Sequence, residues 1–238
     1  MMDNVFKTKP DLGYRVISAN EPLSTIAEQY RKLRTNIDYS TFNKDLKIIS
    51  LTSSFPGEGK TVTALNLATV YSQSENRTLI IDMDLRKPKI HRAFTISNSK
   101  GLSQAVLKDI PLDKVIHEVS EYLHVLPAGE KLPFPAEFLM SKKLKAFMEK
   151  LREKYDKIII DSPPMTAVTD ASIISKFSDG TALIVGSRRT NVDIAKSVVK
   201  TLNDNGANII GAILTRVQKR DSRYASGYYY YSDNEDKE

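Results

Sequence analysis

The sequence predicts a doubly wound α/β fold, in which a mostly parallel sheet carries helices on both faces. Short runs of apolar, often β-branched residues are typical of buried strands. Such runs occur at residues 47–52, 78–82, 157–161, 181–185 and 208–215. Apolar residues at helical spacing lie between them, at residues 61–71 and 191–205. Fully apolar strands that alternate with helices are typical of a parallel sheet buried on both faces.

Three further segments have patterns of their own. Residues 142–154 place apolar side chains at i, i+3, i+4 and i+7, which predicts an amphipathic helix with a solvated basic face. Residues 101–136 are less regular, and their prolines indicate a loop. At the start of the last helix, Thr190 and Asp193 have capping-box spacing, so the Thr190 hydroxyl is expected to accept a backbone N–H.

Composition limits the possible classes of function. The chain has 238 residues, 41% hydrophobic and 27% charged, which is enough to build a core. The absence of cysteine excludes a disulfide scaffold, a thiol nucleophile and a cysteine-ligated metal site. None of the three histidines is close-paired, which argues against a histidine metal site. The net charge of +6 could indicate a nucleic-acid or anionic membrane partner, but the basic residues are scattered and charge alone does not decide the partner. No nucleic-acid partner is expected.

The chain is expected to form one domain with two appendages. The domain spans residues 21–217, after an extended N-terminal arm at residues 1–20 and before a flexible tail at residues 218–238. Five of the eleven tyrosines lie in that tail. The sequence shows neither an apolar run of membrane-spanning length nor a signal region, so a cytoplasmic location is expected.

A phosphate-binding loop follows the first strand, at residues 54–61. It matches G-x-x-x-x-G-K-[ST], except that Ser54 replaces the first glycine. Gly57 and Gly59 allow the backbone to wrap closely around an anion, at the N-terminus of the next helix. The alternative is an ordinary Gly-Lys turn between strand and helix. The residues expected to contact the nucleotide are Ser54, Pro56, Gly57, Glu58, Gly59, Lys60, Thr61 and Val62.

Two other predicted strands end in carboxylates. Asp82 and Asp84 follow one strand, and Asp161 follows another. Ligands of open α/β sheets bind beyond the carboxyl ends of the strands, so these three side chains are expected near the nucleotide. The alternative for each aspartate alone is a turn or helix-cap residue. Together with the phosphate loop they predict a Mg²⁺–nucleotide site.

Residues 54–61, 79–86 and 158–164 resemble the Walker A, Walker A′ and Walker B motifs of the bacterial tyrosine kinases (BY-kinases). The resemblance is to the separately encoded cytoplasmic kinase of Gram-positive capsule and exopolysaccharide systems. It implies a P-loop NTPase-like fold and a kinase that uses ATP and Mg²⁺. It also implies autophosphorylation of tail tyrosines in trans, and regulation of polysaccharide polymerisation and export.

The same resemblance implies a role for each site residue. Lys60 would contact phosphate, and Thr61 would bind Mg²⁺. Asp82 would act as base or orienting acceptor for the tyrosine hydroxyl, whose pKa near 10 makes it a poor nucleophile on its own. Asp84 and Asp161 would organise the Mg²⁺ shell. Arg86 would stabilise local charge.

Two features outside the loop extend the resemblance. Glu28, Arg31 and Arg34 match an E-x-x-R-x-x-R oligomerisation motif within residues 21–42. An alternative from the residues alone is that Glu28 and Arg31 simply pair on a solvated helix. The tail resembles the family's tyrosine cluster, whose expected phosphoacceptors are Tyr224, Tyr228, Tyr229, Tyr230 and Tyr231.

The resemblance also implies partners. These are further copies of the chain in a ring, a membrane copolymerase that activates the kinase and recruits it to the inner face of the plasma membrane, and a cognate tyrosine phosphatase. One rival is a partitioning or division-site ATPase, but Phe55 occupies the position of that group's signature lysine. A second rival is a catalytically idle module that only binds nucleotide. The complete set of loop and aspartate residues argues against it.

Overall fold

A seven-stranded sheet lies at the centre of the computed structural model, which describes residues 14–40 and 46–218. The strands are β1 (Ile48–Ser53), β2 (Thr78–Asp82), β3 (His117–Glu118), β4 (Leu123–Leu126), β5 (Lys157–Asp161), β6 (Gly180–Gly186) and β7 (Ile209–Thr215). Their order is β3-β4-β2-β5-β1-β6-β7, and neighbours run parallel except for the antiparallel β3–β4 pair. The predicted strands are confirmed to within two residues at each end.

Helices cover both faces of this sheet. They are α1 (Ile17–Asn20), α2 (Thr25–Tyr39), α3 (Lys60–Ser72), α4 (Ile90–Ala93), α5 (Leu102–Leu107), α6 (Pro135–Leu139), α7 (Lys142–Lys154), α8 (Asp170–Ser175) and α9 (Val192–Asp204). A 3-10 turn lies at Leu112–Lys114. The three helices predicted from periodicity are confirmed as α3, α7 and α9.

Alternate residues of the central strands enter two different cores. In β5, Ile159 packs with the α1, α2 and α3 side of the sheet, whereas Ile158 and Ile160 pack with the α5, α6 and α7 side. In β2, Ile80 packs on the α1, α2 and α3 side, and Leu79 packs on the α5, α6 and α7 side. Because both faces of each strand are buried, the strands are apolar at every position. The doubly wound prediction is therefore confirmed.

The predicted loop at residues 101–136 was wrong in part. It contains α5, the short β3 and the parallel strand β4, which pairs with β2. His124 interrupts the apolar run of β4, which is why periodicity missed the strand. In the structure this histidine is buried, and its Nδ1 lies 2.8 Å from the hydroxyl oxygen of Tyr155.

The predicted capping box at the start of α9 was also wrong. Asn191 is the N-cap, and its side-chain oxygen accepts the backbone N–H of Asp193 at 2.8 Å. The Thr190 hydroxyl oxygen is buried and finds no hydrogen-bond partner within the described part of the chain. The extended backbone of Asn191, at φ −67° and ψ 139°, places the cap one residue later than predicted.

The N-terminal arm differs from its prediction where the structure describes it. Val16 is buried in the core, and the backbone N–H of Ser18, inside α1, donates to the Asn66 side chain at 2.8 Å. This part of the arm therefore packs against α3 instead of extending away from the domain. Residues 1–13, residues 41–45 and the tyrosine-bearing residues 219–238 lie outside the described residues.

Across residues 14–40 and 46–218, none of the helices combines the length and the apolar character needed to span a membrane.

Candidate active site

The three sequence motifs meet at one edge of the sheet. Strand β1, which leads into the phosphate loop, lies between β5 and β6, and β5 lies between β1 and β2. Asp82 at the end of β2 is the register partner of Asp161 at the end of β5. The structure therefore brings together the loop and the aspartates, as the carboxyl-end rule predicts.

The phosphate loop has the backbone shape that its glycines allow. Gly57 and Gly59 have φ of +79° and +98°, a region that side chains other than glycine rarely adopt. Lys60 is the first residue of α3 and is almost completely buried, with 4% of its surface exposed. A left-handed loop leading into a helix N-terminus directs backbone N–H groups toward a bound anion.

Glu58 supports this loop from within. Its buried carboxylate accepts the backbone N–H of Phe55 at 2.8 Å and that of Gly186 at 3.3 Å. The Thr215 hydroxyl donates to the Glu58 carbonyl oxygen at 2.6 Å, and Arg216 donates to the Gly57 carbonyl oxygen at 2.8 Å. Glu58 thus holds the loop to the end of β6 through its side chain and to the end of β7 through its backbone carbonyl oxygen.

Thr61 and Asp161 form the innermost contact of the site. The Thr61 hydroxyl donates to Asp161 Oδ2 at 2.7 Å. Asp161 Oδ1 and the Ser54 hydroxyl oxygen are buried, and no group among the described residues forms a hydrogen bond with either one. A buried carboxylate oxygen without a partner is unfavourable unless a cation or water occupies the adjacent space.

Asp82 is completely buried at the end of β2. Its Oδ2 accepts the backbone N–H groups of Lys89 at 2.7 Å and Ile90 at 2.9 Å. Burial, together with the nearby charge of Asp161, raises the pKa of Asp82 to about 8. These backbone bonds fold the segment after β2 back over the end of its own strand.

The pKa values of the other two aspartates are also raised. Burial raises the pKa of Asp161 to about 6, although the Lys60 ammonium and the Thr61 hydroxyl favour its charged form. Burial raises the pKa of Asp84, and the backbone N–H of Lys87 and the charge of Lys60 oppose that shift. Several carboxyls with raised pKa values beside one lysine are typical of a functional site.

Arg86 is paired with a residue that the sequence did not single out. Its guanidinium donates two hydrogen bonds to Asp170, at 2.9 Å and 3.2 Å. Asp170 begins α8, and an acidic residue in the first turn of a helix is too common a signal to have identified it. Gly186, Thr215 and Arg216 were missed as well, although their position at the ends of β6 and β7 follows the carboxyl-end rule.

The residues of the predicted oligomerisation motif lie on α2, which packs against α3. Glu28 and Arg31 form an exposed ion pair at 2.7 Å. Arg34 donates to the Val70 carbonyl oxygen at 2.8 Å and to the Ser74 hydroxyl, so it binds the C-terminal end of α3. The five predicted phosphoacceptor tyrosines lie outside the described residues.

The site fits a nucleotide-bound magnesium ion. In the described ranges, no three carboxylate or histidine side chains converge as an all-protein metal site. Mg²⁺ usually keeps several waters and takes phosphate oxygens in addition to one or two protein ligands. The Thr61 hydroxyl and the unpartnered Asp161 oxygen are the groups that would hold such an ion.

Comparison with known proteins agrees with this chemistry. A family model described as an AAA domain matches residues 46–205. The tyrosine-protein kinase YwqD of Bacillus subtilis is 38% identical over 221 residues, which cover 92% of each chain. The putative tyrosine-protein kinase CapB of Staphylococcus aureus is 34% identical over 216 residues, covering 90% of this chain and 94% of that one.

A solved structure leads to the same family. The chimerical protein CapA2B2 superimposes with a TM-score of 0.82 at 35% identity, covering 86% of this chain and 90% of that one. The predicted resemblance and the predicted fold are therefore confirmed. The chain belongs to the bacterial tyrosine-protein kinases, which transfer a phosphoryl group from ATP to a tyrosine hydroxyl.

Proposed function

We propose that this kinase phosphorylates the C-terminal tyrosine cluster of a neighbouring copy and thereby regulates capsular or exopolysaccharide polymerisation and export. The observation that carries the proposal is the convergence of Thr61, Asp161 and Asp82 beside the phosphate loop. The tail supplies the acceptors, since Tyr224 and residues 228–231 lie at most a few tens of ångströms from the end of β7 when extended. The names of two relatives, a tyrosine-protein kinase and CapB, support the assignment.

ATP would be held by the loop and its flanking helix. Lys60 and the backbone N–H groups of residues 54–62 would bind the phosphates, while Thr61 and Asp161 would hold Mg²⁺, with Asp84 orienting its waters. Bound Mg²⁺ would neutralise charge on the phosphate oxygens. The buried Lys60 and the unpartnered Asp161 oxygen support these roles.

Asp82 would accept or polarise the proton of the incoming tyrosine hydroxyl. A carboxyl with an ordinary pKa near 4 is a weak base toward a phenol whose pKa is near 10. The raised pKa of Asp82 brings the two groups closer in proton affinity. Asp82 Oδ1 receives a single long backbone contact, 3.2 Å from the Asp84 nitrogen, and would be the atom that takes the proton.

Two substitutions test these roles. Lys60→Met and Asp82→Ala are expected to abolish tyrosine phosphorylation with ATP and Mg²⁺, measured by anti-phosphotyrosine blot of the purified chain. Lys157→Met removes another buried lysine, one that donates to the Leu46 carbonyl oxygen outside the site, and is expected to retain activity. Full phosphotyrosine signal from Lys60→Met or Asp82→Ala would contradict the assignment.

The kinase would act as a ring in which each subunit presents its tail to the next. Glu28 and Arg31 would exchange their internal ion pair for contacts with a neighbour, which an exposed pair permits at little cost. Arg34 also anchors α3, so its substitution would mix assembly with folding. Glu28→Ala combined with Arg31→Ala leaves the contacts with α3 in place and removes one further bond, from Arg31 to the Pro22 carbonyl oxygen at 2.9 Å, so it is the cleaner test.

Light scattering measures the assembly. The Glu28→Ala/Arg31→Ala chain is expected to have the mass of a smaller species than the wild type. The exposed pair Lys143 and Asp109, 3.6 Å apart, provides a matched double-alanine control that is expected to leave the mass unchanged. Unchanged mass in the α2 variant would refute the role of the motif.

A membrane copolymerase would activate this kinase and recruit it to the inner face of the plasma membrane, and a tyrosine phosphatase would reverse the modification. The name of the chimerical protein CapA2B2 joins a CapA part to a CapB part, which supports pairing of the kinase with a second protein. In fractionated cells that have the copolymerase, the kinase is expected in the membrane fraction. In cells without it, the kinase is expected in the soluble fraction. Equal distribution in both would contradict recruitment.

A further inference from the structure

The Arg86–Asp170 ion pair joins two parts of the chain that border the site. Arg86 lies in residues 83–89, here named the A′ segment, which follows β2. Asp170 begins α8. The Arg86 Nε lies 2.9 Å from Asp170 Oδ2, and Nη2 lies 3.2 Å from Oδ1, so the contact is bidentate. The Asp170 side chain is completely buried, whereas 43% of the Arg86 side chain is exposed.

Burial makes this pair difficult to separate. A buried carboxylate needs a partner charge, and removing that partner leaves the charge uncompensated. The N-terminus of α8 adds favourable backbone dipoles to the carboxylate, but α8 has only six residues and its contribution is small. The guanidinium of Arg86 is therefore the main compensation for Asp170, and the A′ segment is fixed where Arg86 lies.

The A′ segment contains Asp84 and is bound by Asp82, the last residue of β2. Asp82 binds the backbone N–H of Lys89 at the far end of the segment, and Asp84 Oδ1 accepts the N–H of Lys87 at 3.0 Å. Arg86 lies between these contacts. An anchor at Arg86 thus holds in place the same backbone that orients Asp82 and Asp84.

We propose that Asp170 is a positioning residue for phosphoryl transfer, acting through Arg86 to hold the A′ segment so that Asp82 and Asp84 face the nucleotide. This inference rests on the proposed roles of those two aspartates. Small displacements of reacting groups slow catalysis strongly, whereas nucleotide affinity depends on the phosphate loop, whose hydrogen bonds do not include this pair.

The test uses Asp170→Asn, Arg86→Lys and the double variant of the full chain. We expect Asp170→Asn to lower kcat for tyrosine phosphorylation by about tenfold or more, while the Kd for ATP changes by less than about threefold. Because both residues act as one unit, the double variant should be no slower than the slower single variant. A second readout, the Mg²⁺ concentration needed for half-maximal ADP binding, should rise in Asp170→Asn.

The chain offers a matched control at the opposite end of the sheet. Asp179 also makes a bidentate pair, with Arg152 at 2.9 Å and 2.8 Å, and it binds the backbone N–H of Ile48. Asp179→Asn should lower thermal stability without changing kcat or the Mg²⁺ requirement of the folded enzyme.

Three results would overturn the inference. The first is an unchanged kcat in Asp170→Asn. The second is an equal loss of kcat in Asp170→Asn and Asp179→Asn. The third is a double variant in which the losses of kcat from Arg86→Lys and Asp170→Asn multiply. A wild-type chain without kinase activity would count against the proposed function instead. In that case the Mg²⁺ readout still decides the role of Asp170, since an unchanged requirement would refute it.

Discussion

The two carboxylate oxygens of Asp161 have opposite environments. Oδ2 accepts the Thr61 hydroxyl, whereas Oδ1 is buried with no partner among the described residues. Asp82, its register neighbour, satisfies its oxygens with backbone N–H groups instead. At the scale of residues, the site therefore contains one carboxylate with an unpartnered oxygen and one held by the backbone, which is the division that the proposed metal and proton roles need. The sequence predicted which aspartates lie together, but not which hydrogen-bond partners each carboxylate oxygen has.

The raised pKa of Asp82 makes stability depend on pH. The pKa is about 8 in the folded chain and near 4 when the carboxyl is exposed, so the folded state binds the additional proton between these values. The contribution of Asp82 to stability is then complete below about pH 4 and is lost as the pH rises toward about 8. The free energy of unfolding of the wild type should fall across this range, and that of Asp82→Asn should fall by less.

Urea unfolding of the nucleotide-free chain at about pH 5 and about pH 8 measures this difference. The comparison is between the pH slopes of the two proteins, because Asp82→Asn also changes hydrogen bonds to the backbone. Asp179→Asn, which removes a carboxyl outside the site, serves as the control for losing an acidic group. Equal slopes for the wild type and Asp82→Asn would contradict the raised pKa.

At the scale of elements, local pattern predicted the long helices and the buried strands well. Helices α3, α7 and α9 have clear periodicity or start signals, and each predicted strand is present. Strand β4 was missed because its buried His124 is satisfied by Tyr155, 31 residues away in the chain. A contact of that kind leaves no local signal. The cap of α9 was misassigned because Thr190 and Asn191 are adjacent residues of capping type.

Two substitutions at the start of α9 distinguish the observed cap from the predicted one. Asn191→Ala should lower the free energy of unfolding by about 1 kcal/mol, because it removes the bond to the Asp193 N–H. Thr190→Val should leave that free energy unchanged or raise it, since the buried hydroxyl has no partner in the described chain. Denaturant unfolding measures both changes, and a larger loss in Thr190→Val would favour the capping box.

At the scale of the whole molecule, the parallel sheet explains how distant segments form one site. The loop after β1 and the aspartates after β2 and β5 all lie at carboxyl ends of adjacent strands, which the sequence was sufficient to predict. Asp170 could not be predicted, because it belongs to no motif. Gly186 and Thr215 lie at the ends of predicted strands, but their contacts with Glu58 depend on how β6 and β7 pack. In the proposed reaction, the tail tyrosines of one copy accept phosphate at the site of another copy.

The most direct test of the central claim mixes two variants of the chain, one without acceptor tyrosines and one without a working site. A donor chain with Tyr224 and residues 228–231 changed to phenylalanine keeps its site, and a Lys60→Met chain keeps its tail. Each alone, incubated with ATP and Mg²⁺, should show no tail phosphorylation. The mixture should place phosphotyrosine on the Lys60→Met tail, measured by mass spectrometry. An unmodified tail in the mixture, with robust autophosphorylation of the wild type, would contradict transfer between copies.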